Sequence, residues 1–266
     1  VPPSGPPNCP YNATVVAAKI GFFACPSDPD PNLSATSSLG TAAYSINSYR
    51  YNIGATICQS TAFNDAGSPQ DPWTANCSAD VNGPRGGLFK EEGVTTVATM
   101  TDGTSNTAAF AERAIGDLND NAFGPHDVLR AASGGPADRS PTQTTDNLFN
   151  VCNAATGIDG TVFSRADSFF GIDIGASIYS SLTVTEYNHI FPPNYGGNKH
   201  DCDTGQSYID SPGEAAITSA SSRHPGGANT LFADGSVKFI KTTVGRSVWQ
   251  ALGTAAGGEV ISADQY

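Results

Sequence analysis

The stretch His224-Pro-Gly-Gly-Ala-Asn-Thr-Leu-Phe-Ala-Asp-Gly-Ser-Val-Lys-Phe-Ile240 decides the fold. Asn229 to Ala233 and Ser236 to Ile240 are short runs rich in strand-forming side chains, and Asp234-Gly235 stands between them. Asp-Gly is a preferred pair for a two-residue type I′ turn, in which both central residues need positive φ. The segment therefore predicts an antiparallel hairpin. Just beyond it, Val244, Val248, Trp249 and Leu252 recur at helical spacing and stop at Gly253, the pattern of a short helix with a glycine end.

Similar short elements are predicted upstream. Ala43 to Ile53 alternates as a strand does, and Ala108 to Glu112 is a short apolar segment that follows a tight turn at Asp102-Gly103. Thr14 to Cys25 is strongly apolar and fits helix or strand, ending where Pro26 forbids continuation. Ser177 to Phe191 is rich in β-branched and aromatic residues and runs into the Pro192-Pro193 breaker, which predicts a strand. Residues 54–87 and 116–160 carry little periodicity and read as long loops. With 29 Gly, 18 Pro and only 14% charged residues, the chain lacks the Ala, Leu, Glu and Lys that long helices demand. The expected fold is α+β dominated by antiparallel β, with few short helices. A Pro-rich extended arm is expected over residues 1–13 and one β-rich globular domain over residues 14–266.

Thirteen Lys and Arg against twenty-five Asp and Glu give a formal charge of −12. That field repels phosphate backbones and anionic lipid, so neither nucleic acid nor a membrane surface is an expected partner of this chain. Six cysteines, Cys9, Cys25, Cys58, Cys77, Cys152 and Cys202, form an even set with no CxxC pair. Close-spaced zinc ligands are missing from that pattern, so three disulfides in an exported protein are expected, with the pairing open.

HExxH, the Walker phosphate loop, GxGxxG and GxSxG are all absent from the sequence, and no catalytic residue is expected. Asp117, Asn119 and Asn121 place oxygen ligands at alternate positions, as the opening of a calcium loop does. Ala122 and Val128 then break the EF-hand pattern, which leaves an irregular calcium loop, or a plain solvated acidic turn, as the expectation there. Asp201 and Asp203, flanking Cys202, offer a second such oxygen pair.

Four blocks resemble, in order, a bacterial family of prepilin-type processing-associated proteins that carries a His, nine residues, Asp-Gly signature. They are FFACPSDP (Phe22 to Pro29), TDGTSNTAAFAE (Thr101 to Glu112), His224 to Asp234-Gly235, and VWQALGTAAGGEVIS (Val248 to Ser262). The resemblance implies a pilin-like or pseudopilin-like globular head at the cell surface or outside the cell. It supplies no catalytic residues. It gives His224, Asp234, Gly235, Asp102 and Gly103 as signature positions, whose plainest reading is structural, with a metal or ligand contact as the alternative for His224. The function it implies is a non-catalytic structural subunit of a surface filament, with copies of the same chain as partners. The alternative is a solute- or carbohydrate-binding module, also meeting glycans, whose sign would be an aromatic-lined groove near Trp73, Trp249 or the tyrosines.

Overall fold

The computed structural model describes residues 20–28, 35–36, 43–44, 47–57, 83–90, 93–115, 125–126, 128–131, 145–154, 163–167, 186–197, 201–203 and 216–266. The first strands along the chain are β1 (Ala35–Thr36), β2 (Ala43–Tyr44), β3 (Tyr49–Asn52), β4 (Ala108–Glu112) and β5 (Val128–Ala131). Helix α1 (Thr145–Ala154) precedes β6 (Phe163–Asp167), β7 (Glu186–Tyr187), β8 (Cys202–Asp203) and β9 (Ala216–Ile217). The chain closes with β10 (Gly227–Phe232), β11 (Val237–Lys241) and helix α2 (Arg246–Gly253). The fold is α+β with β dominant. A five-stranded sheet has the order β11-β10-β4-β3-β7, and a four-stranded one has the order β6-β5-β8-β9. Both sheets are mixed, because β3 pairs parallel with β7 and β5 parallel with β8.

The alternation of β10 explains the larger sheet. Ala228, Thr230 and Phe232 are buried on one face, while Asn229 and Leu231 are half-buried on the other. On the first face the apolar stripe of α2 covers the sheet, and Ala111, Tyr187, Ala220, Ala228, Phe232, Ile240, Val244, Trp249 and Leu252 form the core. Asn52 ties this layer together. Its amide donates to Ala108 O at 2.9 Å and Gly253 O at 2.7 Å, and its carbonyl accepts from Gly54 N at 2.7 Å. A buried ion pair adds a second tie, since Arg113, which follows β4, meets Asp201, which precedes β8. Asp201 also accepts from the Ser219 hydroxyl at 2.7 Å and amide at 3.0 Å. Asp201 is therefore engaged in a protein ion pair. Cys152 on α1 is bridged to Cys202 on β8, a bond suited to an oxidising compartment.

Several expectations need correction. The hairpin turn has three residues, Ala233, Asp234 and Gly235. Gly235 N donates to Phe232 O at 2.9 Å and Phe232 N to Ser236 O at 2.8 Å, and only Gly235 takes positive φ, at 86°. This is a type I turn followed by a glycine bulge, not a type I′ turn. Tertiary bonds fix the longer loop: Ala233 N donates to Thr107 O and Asp234 N to Thr104 O. Gly253 does not cap α2 in the left-handed region; Thr254 ends the helix in extended geometry. A glycine is needed there because a Cβ would collide with the ring of His189. The Ala43 to Ile53 run is two strands, β2 and β3, and the described end of the Thr14 to Cys25 run is a 3-10 turn, Gly21–Phe23. Of Ser177 to Phe191, residues 186–191 are described and contain β7. The arm at residues 1–13 lies outside the described residues.

Candidate functional site

The second face of the five-stranded sheet carries the candidate site. Strand register lines up Val237, Leu231, Phe110, Tyr51 and Glu186 as one cross-strand row. The adjacent row runs Phe239, Asn229, Glu112, Tyr49. Phe89 packs edge-on against both Tyr51 and Phe110, with ring centroids 5.5 and 5.1 Å apart. The Gly21–Phe23 turn hangs over one end of this face, because Phe23 O accepts from Ser48 N at 2.7 Å just before β3. Beneath it lies a cavity of about 400 Å³, walled by Phe22, Phe23, Tyr49, Tyr51, Phe110 and Leu231, with Glu112, Asn229 and Asn47 as its polar groups.

Glu112 is the charged group of that cavity. Its side chain is 7% exposed, and its two oxygens accept from Asn229, Oε2 from the backbone amide at 2.8 Å and Oε1 from the side-chain amide at 3.0 Å. Oε1 also lies 3.5 Å from Nε2 of His224, whose side chain is 36% exposed and so reaches solvent. Cys25 completes the group: its sulfur, a Glu112 oxygen and a His224 ring nitrogen all lie within 4.8 Å of one another. Cys25 is a free thiol, which corrects the expectation that it is bridged. Burial raises the pKa of the Tyr49 phenol, and neighbouring Cys25, Glu112 and Asp28 push it the same way.

The loops that deliver these side chains are tied to each other. Ser48 Oγ accepts from Cys25 N at 3.0 Å and donates to Asp28 Oδ2 at 2.6 Å. Arg223 bonds Asp28 Oδ1 at 3.3 Å and Ile115 O at 2.7 Å. Ser222 Oγ accepts from His224 N at 3.0 Å and donates to Gly227 O at 2.8 Å. Thus Cys25 and Asp28 of the first sequence block, Glu112 of the second and His224 of the third meet in one place.

The other signature residues lie elsewhere. The Asp102 carboxylate accepts from Gly257 N and Gly258 N, each at 2.8 Å, and from Thr254 Oγ1 at 3.2 Å. Gly103 takes φ 90° in the turn closed onto Met100 O. Asp234 accepts from the Ser236 hydroxyl and amide, which hold its carboxyl below the usual range. Trp249, expected beside a groove, is buried in the core; Trp73, Asp117, Asn119, Asn121, Cys9, Cys58 and Cys77 lie outside the described residues. The tyrosines were expected to line a groove, while sequence reasoning passed over Glu112, Phe110 and Asn229 as site residues. The available signal was a carboxylate closing the apolar segment Ala108 to Glu112.

Fold and site together define a β-dominated α+β protein with an aromatic-walled cavity floored by one buried carboxylate. The chain belongs to the family described as protein of unknown function (DUF1559), SBP_bac_10, which matches residues 2–247. No curated protein and no solved structure matches it. Among the described residues no helix is long and apolar enough to cross a membrane.

Proposed function

We propose that this protein is a non-catalytic binding module of the cell exterior. Its ligand is a small molecule with a ring-sized apolar body and a cationic or hydrogen-bond-donating end. The observation that carries this reading is the cavity on the second sheet face. Its volume of about 400 Å³ falls in the range of small-molecule sites, and it combines apolar walls with a few convergent polar groups as such sites do. Asn229 fixes the Glu112 carboxylate in place, so a ligand donor meets an acceptor that is already oriented. The net charge of −12 favours a cationic over an anionic ligand at long range.

Calorimetry on EDTA-treated protein tests this with two probes that share a ring and a two-carbon linker, 2-phenylethylamine and 3-phenylpropionate. The amine is expected to bind at least tenfold more tightly, and Glu112→Gln to abolish that difference. Equal affinity for both probes, or discrimination that survives in Glu112→Gln, overturns the reading.

A second reading rests on a different observation. Strand β11 is an edge of the five-stranded sheet and exposes Val237 and Phe239, a surface able to receive a neighbouring strand. Together with the prepilin-like blocks, this supports a subunit of a surface filament. Size analysis of the purified chain and electron microscopy of native material test it, and a strictly monomeric protein that forms no filaments rejects it.

A further inference from the structure

We propose that Cys25, Glu112 and His224 form a site for a divalent transition-metal ion of the zinc class. The three residues lie far apart in sequence and are brought together by three separately anchored loops and strands. They offer one sulfur, one carboxylate oxygen and one imidazole nitrogen, a donor set that suits zinc and its cobalt substitute and does not suit calcium or magnesium.

The geometry is close to what such an ion needs. Tetrahedral bonds of about 2.0 to 2.3 Å place neighbouring ligand atoms roughly 3.3 to 3.7 Å apart. Glu112 Oε1 and His224 Nε2 are already 3.5 Å apart, and the sulfur has to close from a separation of at most 4.8 Å. Cys25 is 8% exposed, on a loop pinned by Ser48, while His224 sits at the rim and can turn inward.

The supporting bonds match those that orient metal ligands. Asn229 holds the carboxylate, Ser48 holds the Cys25 backbone, and Ser222 holds the His224 backbone. Binding would replace the proton of the Cys25 thiol by the metal and release that proton to solvent. Three protein ligands leave a fourth position for water or a donor atom of a bound molecule. Glu112 also lines the aromatic cavity, so the ion would sit at the cavity's edge. The inference does not depend on the amine-binding reading, because it needs no organic ligand.

The test is cobalt titration of the EDTA-treated, oxidised full chain. One equivalent of Co²⁺ is expected to produce a thiolate-to-metal charge-transfer band that Zn²⁺ abolishes by displacement. Cys25→Ser should remove the band, and Glu112→Gln and His224→Gln should each weaken Zn²⁺ binding by at least about tenfold, the scale at which even the loss of an outer-shell partner acts. Unchanged circular dichroism serves as the check on folding. Should the Cys25 variant fail to fold, the wild-type chain still decides the matter: saturating Zn²⁺ should slow iodoacetamide labelling of Cys25 at least tenfold, read by peptide mass. Absence of the band, labelling of Cys25 at equal rates with and without Zn²⁺, or a bridged Cys25 in the isolated protein overturns the proposal. So does Zn²⁺ affinity that none of the three substitutions alters.

Discussion

Lowering the pH from 7 to 5 should destabilise this protein through two buried histidines, and His189 shows why. Its ring is fully buried, stacked on Trp249 with centroids 3.8 Å apart. Nδ1 lies 2.7 Å from Trp249 O, which can only accept, so Nδ1 carries the proton; Nε2, 3.0 Å from the Tyr187 hydroxyl, is then the acceptor. Burial pushes the pKa down to about 3, against the smaller opposing effect of the Trp249 carbonyl. His126 is likewise held at about 3, by burial first and then by Arg113 and Arg223. A depressed imidazole pKa means that the unfolded chain binds the extra proton first. Stability is therefore fully present above about pH 6.5 and falls as pH drops towards 3. Between pH 7 and 5, where most carboxylates have yet to titrate, each histidine should remove about 2 kcal/mol and the pair about 4. That is a large part of a typical domain's stability. Urea unfolding at pH 7, 6 and 5, followed by tryptophan fluorescence, measures it. His189→Gln and His126→Gln should each halve the pH slope whatever they do to absolute stability. An unchanged midpoint between pH 7 and 5, or a full slope in the double variant, would show that these imidazoles do not control the pH response.

Other substitutions separate backbone strain from collision. Gly235→Ala should cost about 1 kcal/mol, because its φ of 86° is strained for an L residue while a Cβ there meets open space. Gly227→Ala should cost clearly more, since its Cβ would strike the backbone carbonyl of Ile240; thermal denaturation of both variants checks the order. Arg113→Met should cost about 3 to 5 kcal/mol by leaving Asp201 buried without its cation, and adding Asp201→Asn should recover part of that loss. Cutting the Cys152–Cys202 bridge, which spans 50 residues, should cost about 4 kcal/mol by the chain-entropy relation, read as the difference between wild type and the Cys152→Ser/Cys202→Ser variant in urea.

The legible parts of the sequence were those whose signal is local. The β10–β11 hairpin and α2 followed from alternation and from the spacing of Val244, Val248, Trp249 and Leu252, because a packed face imposes its period on nearby residues. The turn type was misread because Ala233 and Asp234 are held by carbonyls of Thr107 and Thr104, which dipeptide preference does not contain. Gly253 looked like a cap, yet its reason is the ring of His189, distant in sequence. The site was legible only as fragments. Cys25 was read as one half of a bridge, and Glu112 as the end of a strand. His224 stands in the sequence as a signature position, structural or a metal or ligand contact, with no mark of which partners it meets. What unites them is the pairing of β4 with β3 and β10, together with the Ser48, Asp28 and Arg223 bonds. Such long-range pairing leaves no periodic mark in any of the three segments.

The most direct test of the central claim is a crystal structure of the EDTA-treated protein with 2-phenylethylamine. The ammonium group is expected within hydrogen-bond distance of Glu112 Oε1, with the ring against Phe23, Tyr49 and Phe110. An empty cavity, with the amine bound at another surface, would contradict it.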